Sequence, residues 1–515
     1  MSSLAKSFGY NFSGQLIART ISFGINMYLL RVVGNDVLGL VNVQLTLLYQ
    51  TILFLTREPL RKAYILRDSV PKFINLLWLA PVIASILSIL CGALWSFGTA
   101  HSSDMSFFVL VSFPASAIIE SFAEPFAVLS LRYSLARQFA VGQSLLIFLQ
   151  RFFVFVSIIL YPQIYPLDLF AYGQLFGSIT YLLYYLVSFY LSQGREELKE
   201  FPTFSSMLPN PSAGLDKDAL KAWFTMLSHS VLKQLLTDGS AFVMTFTNIM
   251  TLKQQAVYDA VERLGSLVAR TVLAPMEENC YAYFANSIRA QSKVFDKNNA
   301  KHDELASTLK VILHIVGVLG CVICVFAIPY SPTAVFIYGG KLLAENGGAL
   351  LLSVYSFYLW VMAINGITEC FAMASMDNKE VFSHGRFLLF AAIAHITMNI
   401  ALSSYLSSAG FIVANVINMI ARIAYSLKHI REYLGTKSPS FLIIFPDFNI
   451  MASLLFCFMA TSFSYLLFAT TPGFSHTAVH VAIGGVLCGL LLTNVAQNDA
   501  IFVDIIANAI KTHKA

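Results

Sequence analysis

The chain has 515 residues, 57% of them hydrophobic and 14% aromatic, with only 12% charged and a mean hydropathy of +0.69. Soluble domains carry about 25% charged residues, so a soluble single domain, a disordered chain and a disulfide framework are all excluded. The net charge of +5 says little, because membrane proteins spend their charges on orientation, and nucleic acid is not an expected partner.

Apolar runs close to 20 residues recur along the chain, and such runs match the ~30 Å hydrocarbon thickness of a bilayer. With one run and its polar break to about every 37 residues, the expectation is an all-α membrane protein of about 14 transmembrane helices. The breaks alternate in character. Those at 57–72, 132–137, 195–221, 289–301, 379–386, 428–437 and the C-terminal tail, counted with Lys6, hold 23 basic residues, and the alternate set holds 3: Arg31, Lys253 and Lys341. Basic residues concentrate in cytoplasmic loops, so both termini are expected in the cytoplasm and Lys341 on the opposite side. The break at 193–222 contains Pro202, Pro209 and Pro211 and reads as a linker. It separates an N-terminal six-helix bundle (1–192) from a second one (223–433), followed by a C-terminal helix pair and tail (434–515). Two pseudo-symmetric bundles and an appended pair around a central cavity are therefore expected, with substrate binding where the repeats meet.

Polar residues inside the spans carry the functional signal, since an ionisable group in hydrocarbon costs at least ~2.5 kcal/mol. The first expected span places Gln15, Arg19, Ser22 and Asn26 on one helical stripe, with Arg31 near its far end. Arg57, Glu58, Arg61 and Lys62 crowd the end of the second span, where Pro59 is expected to end or kink the helix. This cluster fits either anchoring at anionic lipid or capture of a phosphate. Gln150 and Arg151, then His229, Lys233 and Thr237, add further polar positions. The eighth span repeats the stripe with Asp259, Arg263, Ser266 and Arg270, followed by Glu277 and Glu278. Asp259 and Arg263 are spaced as an i,i+4 ion pair, whereas Arg270 has no acid at i±3 or i±4. Glu369 lies within the tenth span. Arginine stays charged when partly dehydrated and grips phosphate bidentately, so a cavity lined by Arg19, Arg151, Lys233, Arg263 and Arg270 suits an anionic headgroup.

Enzyme motifs are not evident. Asp216-Lys217-Asp218 matches a metal-dependent glycosyltransferase pattern but lies in the linker, and there is no P-loop, His-Glu-x-x-His or zinc spacing. No enzymatic activity, metal or cofactor is expected. Cys321 and Cys324 have redox-motif spacing inside an apolar run, where packed thiols are expected.

Several stretches together resemble the Rft family of eukaryotic endoplasmic-reticulum oligosaccharide translocation proteins. They are Arg19 to Asn26, Leu30-Arg31, Leu38 to Val43, Leu47 to Ala63, Glu124-Pro125, Val257 to Asp259, Leu264 to Arg270, Pro275 to Glu278, Tyr338 to Gly340, and Ile364 to Phe371. They are scattered over about three quarters of the chain, and the last two spans match mainly in hydropathy. The resemblance implies the fold of the multidrug/oligosaccharidyl-lipid/polysaccharide exporters and a membrane of the endoplasmic reticulum. It also implies a role in N-glycosylation, with a dolichyl-pyrophosphate heptasaccharide of five mannoses and two N-acetylglucosamines as cargo. A non-transport accessory or scaffold role in the same pathway is the alternative, and proteins of that pathway and membrane lipids are the implied partners. On this reading Arg19, Asn26, Arg57, Arg61 and Arg270 are the expected headgroup contacts, and Arg31 is an exit contact. Glu58, Asp259, Glu277, Glu278 and Glu369 are expected to orient the arginines or act as gates.

Overall fold

The computed structural model describes residues 21, 23–64, 70–98, 105–133, 135–193, 203–210, 214, 217–247, 249–293, 299–469 and 473–504. Arg19, Asp216 and both termini lie outside them. Every regular element among the described residues is helical. The chain divides into two units, Met1–Ala256 and Val257–Ala515.

The first unit begins with α1 (23–32). It continues through α2 (Asn35–Gly39), a π-helical turn (Leu40–Leu45) and α3 (Thr46–Tyr64), which follow one another without a break. Then come α4 (Val70–Leu77), α5 (Ala80–Gly98), α6 (Phe107–Ser121), α7 (Glu124–Arg132), α8 (Ala136–Leu160), α9 (Pro166–Leu191) and α10 (Lys217–Phe246). Helix α3 is the hub, with α5, α6 and α10 packed along it. Although α10 follows the linker in sequence, it belongs to this unit. Aromatic residues fill the core: Tyr181, Tyr185 and Phe189 of α9 pack with Phe126 of α7, and Trp95 of α5 packs with Phe242 and Phe246 of α10.

Two sequence expectations change here. Pro59 neither ends nor breaks α3, which runs on to Tyr64. The carbonyl of Leu55 loses its helical donor, but Leu60 is fully buried on the far side of the proline, and tertiary packing outweighs one backbone bond. The linker, for its part, is more than a spacer at Thr203–Asn210. The Asn75 amide bonds the backbone of Asn210 in both directions, each at 2.7 Å, and the Trp78 indole donates to the Met207 carbonyl at 2.9 Å. Met207 is buried, and Phe204 stacks on Phe126.

The second unit contains α11 (Leu252–Val268) from Val257 onward, a π turn (Ala269–Leu273) and α12 (Ala274–Lys293), again without a break. Next are α13 (Asn299–Glu345), α14 (Gly348–Ser375), α15 (Asn378–Leu406), α16 (Ser408–Leu434), α17 (Phe448–Ser464), a third π turn (Tyr465–Ala469) and α18 (Phe474–Asn498). Helix α14 is central, packed by α12, α13 and α16. The polar break that holds Lys341 is helical from Ser331 to Glu345, with one non-helical residue at Gly340. Its Val335 and Tyr338 are buried, which explains why a segment too polar for a span is nonetheless ordered as helix. The C-terminal pair docks on α13 through Val318, Val322, Ile450, Leu454, Cys457, Leu491 and Val495. All seven cysteines are free thiols, Cys321 and Cys324 among them.

Among the described residues, ten helices are long and apolar enough to cross a membrane, or eleven if α6 and α7, bent by 42°, form one span. Helix α10 and the α11–α12 run are long enough too but more polar: α10 carries Lys233, Gln234 and Asp238, and the α11–α12 run carries Asp259, Glu262, Arg263, Arg270, Glu277 and Glu278.

One buried polar contact ties the C-terminal pair to the rest of its unit. His314 of α13 lies 2.7 Å from the Ile443 carbonyl through Nδ1 and 2.7 Å from Asp499 Oδ2 through Nε2, and both side chains are buried. Replacing His314 by Ala leaves the Asp499 carboxylate buried without its partner. The expected loss is about 3 kcal/mol, read as a lower Tm of the detergent-solubilised protein. Lys428→Ala, which removes an exposed pair with Glu432, is expected to change stability by less than ~0.5 kcal/mol.

Candidate functional site

Charged side chains gather in two places, one in each unit. In the first unit they lie where α3 meets α6 and α7. Arg57 Nη2 is 2.9 Å from Glu120 Oε2, and Arg57 Nε is 3.0 Å from Glu124 Oε2. Arg61, one turn further along α3, grips Glu124 with both arms of its fork, at 2.6 and 3.0 Å. Ser178 donates to Glu120 Oε1 at 2.9 Å, and the Tyr49 hydroxyl donates to the same oxygen. The arginines also lie over rings, Arg57 over Tyr181 and Arg61 over Phe139. Both carboxylates are 0% exposed, against 13% for Arg57 and 28% for Arg61. Two acids removed from water need two cations and good geometry, and here the sum of charge is zero. Arg57 and Arg61, expected to capture a phosphate, are each already engaged by a carboxylate. Glu58 pairs with Lys233 of α10 at 2.8 Å.

In the second unit the charges line α11 to α12 and the adjoining face of α14. Asp259 and Arg263 form the i,i+4 pair their spacing implies, at 2.7 Å. Glu369 of α14 is held by Arg422 of α16 at 2.6 and 2.9 Å, by the Asn365 amide at 3.0 Å, and by His384 of α15 at 3.4 Å. Glu277 of α12 sits half-buried against Gly366 of α14, where any β-carbon would collide with its carboxylate. Glu278 is exposed. Arg270 stands apart: it is exposed on the π turn, donates to the Ser266 hydroxyl at 3.2 Å, and has no carboxylate within 4 Å among the described residues. Asn26, half-buried, and Arg31, exposed, lie on α1. Among the described residues no group of three or more His, Cys, Asp or Glu is placed to hold a metal ion.

A family model described as Rft protein matches residues 3–509. The chain belongs to the Rft family. A Caenorhabditis elegans relative named Man(5)GlcNAc(2)-PP-dolichol translocation protein RFT1 is 56% identical, over 99% of this chain and 100% of its own length. Proteins of the same name from Xenopus tropicalis and Mus musculus are 32% and 31% identical, each over 93% of this chain and 91% of theirs. Among solved structures, the lipid II flippase MurJ in an inward closed conformation superposes with a TM-score of 0.64 at 13% identity, covering 95% of this chain and 99% of that one. An inward-facing MATE-family multidrug resistance transporter superposes at 0.56 and 13% identity, covering 81% and 94%. At such identities the likeness is one of fold.

Three residues of the Rft chain's charge clusters escaped the sequence reading. Glu120 and Arg422 were not singled out, and Glu124 entered only as part of a matching dipeptide. Each is an ionisable residue inside an apolar run, which is itself the available signal. Their partners lie 63 and 53 positions away, beyond any local spacing rule. The arrangement predicts that Arg422→Gln destabilises the second unit by about 2–4 kcal/mol by stranding Glu369. Neutralising both, Arg422→Gln with Glu369→Gln, is expected to recover most of the lost Tm.

Proposed function

We propose that this Rft-family chain moves a dolichyl-pyrophosphate-linked Man5GlcNAc2 oligosaccharide from the cytoplasmic to the lumenal leaflet of the endoplasmic reticulum, supplying N-glycosylation. The observation that carries this reading is the 56% identity, over the full chain, to a relative bearing that activity in its name. All fourteen expected segments cross the bilayer in this proposal: the ten apolar helices, the bent α6–α7 pair taken as one span, α10, the α11–α12 run, and a first span that ends in α1. The charged residues of α10 and α11–α12 are then the polar lining of a translocation path. The spans are organised as six, six and a C-terminal pair, and both termini are cytoplasmic.

Arg270 is the headgroup contact best supported by geometry. It is exposed, cationic, presented on a π turn, and uncommitted to any described carboxylate. A guanidinium in that state can close two hydrogen bonds on a phosphate oxygen pair without first breaking an internal ion pair. Arg57 and Arg61 must keep Glu120 and Glu124 neutralised, which makes them poorer candidates for capture.

Two measurements check this reading. In liposomes carrying the labelled lipid-linked oligosaccharide, Arg270→Gln is expected to slow translocation about 10- to 100-fold, as loss of a charge-assisted hydrogen bond of ~1.5–3 kcal/mol implies. Arg270→Lys should be intermediate and the Tm of both unchanged; full translocation by Arg270→Gln would remove Arg270 from the site. Saturable binding without translocation by the unaltered protein would support an accessory role instead. For orientation, a single cysteine at Lys341, an exposed position, should react with an impermeant maleimide from the lumenal side alone; cytoplasmic labelling would reverse the topology.

A further inference from the structure

Helices α6 and α7 meet at a bend of 42°, and its local cause is legible. Pro125, at the first turn of α7, has no N–H for the Ser121 carbonyl and disfavours helical geometry in the residue before it. The chain passes the bend with tighter bonds, Phe122 N to Ile119 O at 3.3 Å and Ala123 N to Glu120 O at 3.0 Å. A proline break removes backbone restraint but does not choose the angle, and such positions serve as hinges unless side chains fix them.

The charged cluster of the first unit is built across this bend. Glu120 is the penultimate residue of α6 and Glu124 the first of α7. The other contacts divide cleanly: Tyr49 and Ser178 bond Glu120, whereas Arg61 bonds Glu124. Arg57 alone of the residues in these contacts reaches both, Nη2 to Glu120 at 2.9 Å and Nε to Glu124 at 3.0 Å. The two acids are fully buried, so any change of angle that parts one of them from Arg57 strands a charge out of water.

We propose that Arg57 is a positioning residue that staples the two halves of the bent α6–α7 pair to α3 and sets the angle between them, with Glu120 and Glu124 as its two anchor points. The requirement is for one rigid, planar cation that hydrogen-bonds Glu120 through Nη2 while its Nε edge stays in ion-pair contact with Glu124. A lysine ammonium keeps the charge but is a point donor on a flexible stem, so it satisfies neutrality without holding both anchors.

The test is a distance measurement on the full chain in lipid nanodiscs. Spin labels at Phe107→Cys and Leu131→Cys, both exposed positions on α6 and α7, are placed in a background with the seven native cysteines replaced. The unaltered staple should give one narrow distance distribution by pulsed electron spin resonance. Arg57→Gln with Glu120→Gln, which leaves the cluster neutral, is expected to widen or shift that distribution about twofold beyond its original width, as a released hinge does. Arg57→Lys should do the same, and it serves if the double variant fails to fold. Lys233→Gln with Glu58→Gln removes the neighbouring pair between α3 and α10 and should leave the distribution narrow. An unchanged distribution in Arg57→Lys or in the neutral double variant overturns the proposal, as does equal widening in the Lys233 and Glu58 control. The readout needs no knowledge of what is transported, so it stands or falls apart from the translocation reading.

Discussion

A buried carboxylate inside an apolar helix needs a cation beside it, and where its own helix offers none the cation comes from another; much of the internal architecture of this chain follows from that constraint. In the first unit two fully buried carboxylates on either side of a helix bend are met by two arginines of α3. In the second, Glu369 of α14 is met by Arg422 of α16, with Asn365 and His384 completing its shell. Breaking either group leaves an acid that water cannot reach easily, which is far more costly than the net worth of the pair. The neutral sum of the first cluster also divides the arginines by role. Arg57, Arg61 and Arg422 each have a carboxylate in reach, whereas Arg270 has none within 4 Å among the described residues, which is why we propose it as the anion contact.

Irregular helix is the second recurring device, and polar contacts accompany it. The π turn before α3 places the Gln44 carbonyl where the Trp95 indole donates to it at 3.0 Å, and the Gln44 side chain bonds Gln255 at 3.2 Å. The π turn between α11 and α12 carries Arg270. The third, after α17, follows Ser464, which bonds the buried His480 at 2.9 Å. A π turn frees a carbonyl or shifts a side chain off its stripe, and both effects bring polar groups to places a regular helix would not. Gly39, the last residue before the first of these turns, lies against the Leu252 carbonyl, where a β-carbon has no room.

The likeness to MurJ at 13% identity fits this division of labour. Apolar helices of span length with short connections are enough to specify how such a fold is strung, and many sequences satisfy them. The charged clusters are particular choices laid over that scheme.

Local patterns made the class legible from the residues alone. Run length, the skew of basic residues and the helical stripe of polar positions are properties of neighbours along the chain, and they reached the all-helical, many-span architecture and the Asp259–Arg263 pair. They also marked Arg270 as lacking an acid within one helical turn, and no described carboxylate of the folded chain supplies one. What no spacing rule reached was every contact made across helices. Pro59 was expected to end or kink α3 because its lost backbone bond is local, while the burial of Leu60 on the far side, where the helix runs on to Tyr64, is not. Arg57 and Arg61 carried the same charge in sequence as Arg270, yet Glu120 and Glu124 arrive beside them only when α6 and α7 fold onto α3. Sequence by itself determined which residues are charged within the apolar spans; tertiary packing alone decided which of those charges are cancelled, because cancellation depends on distances of about 3 Å between helices far apart in the chain.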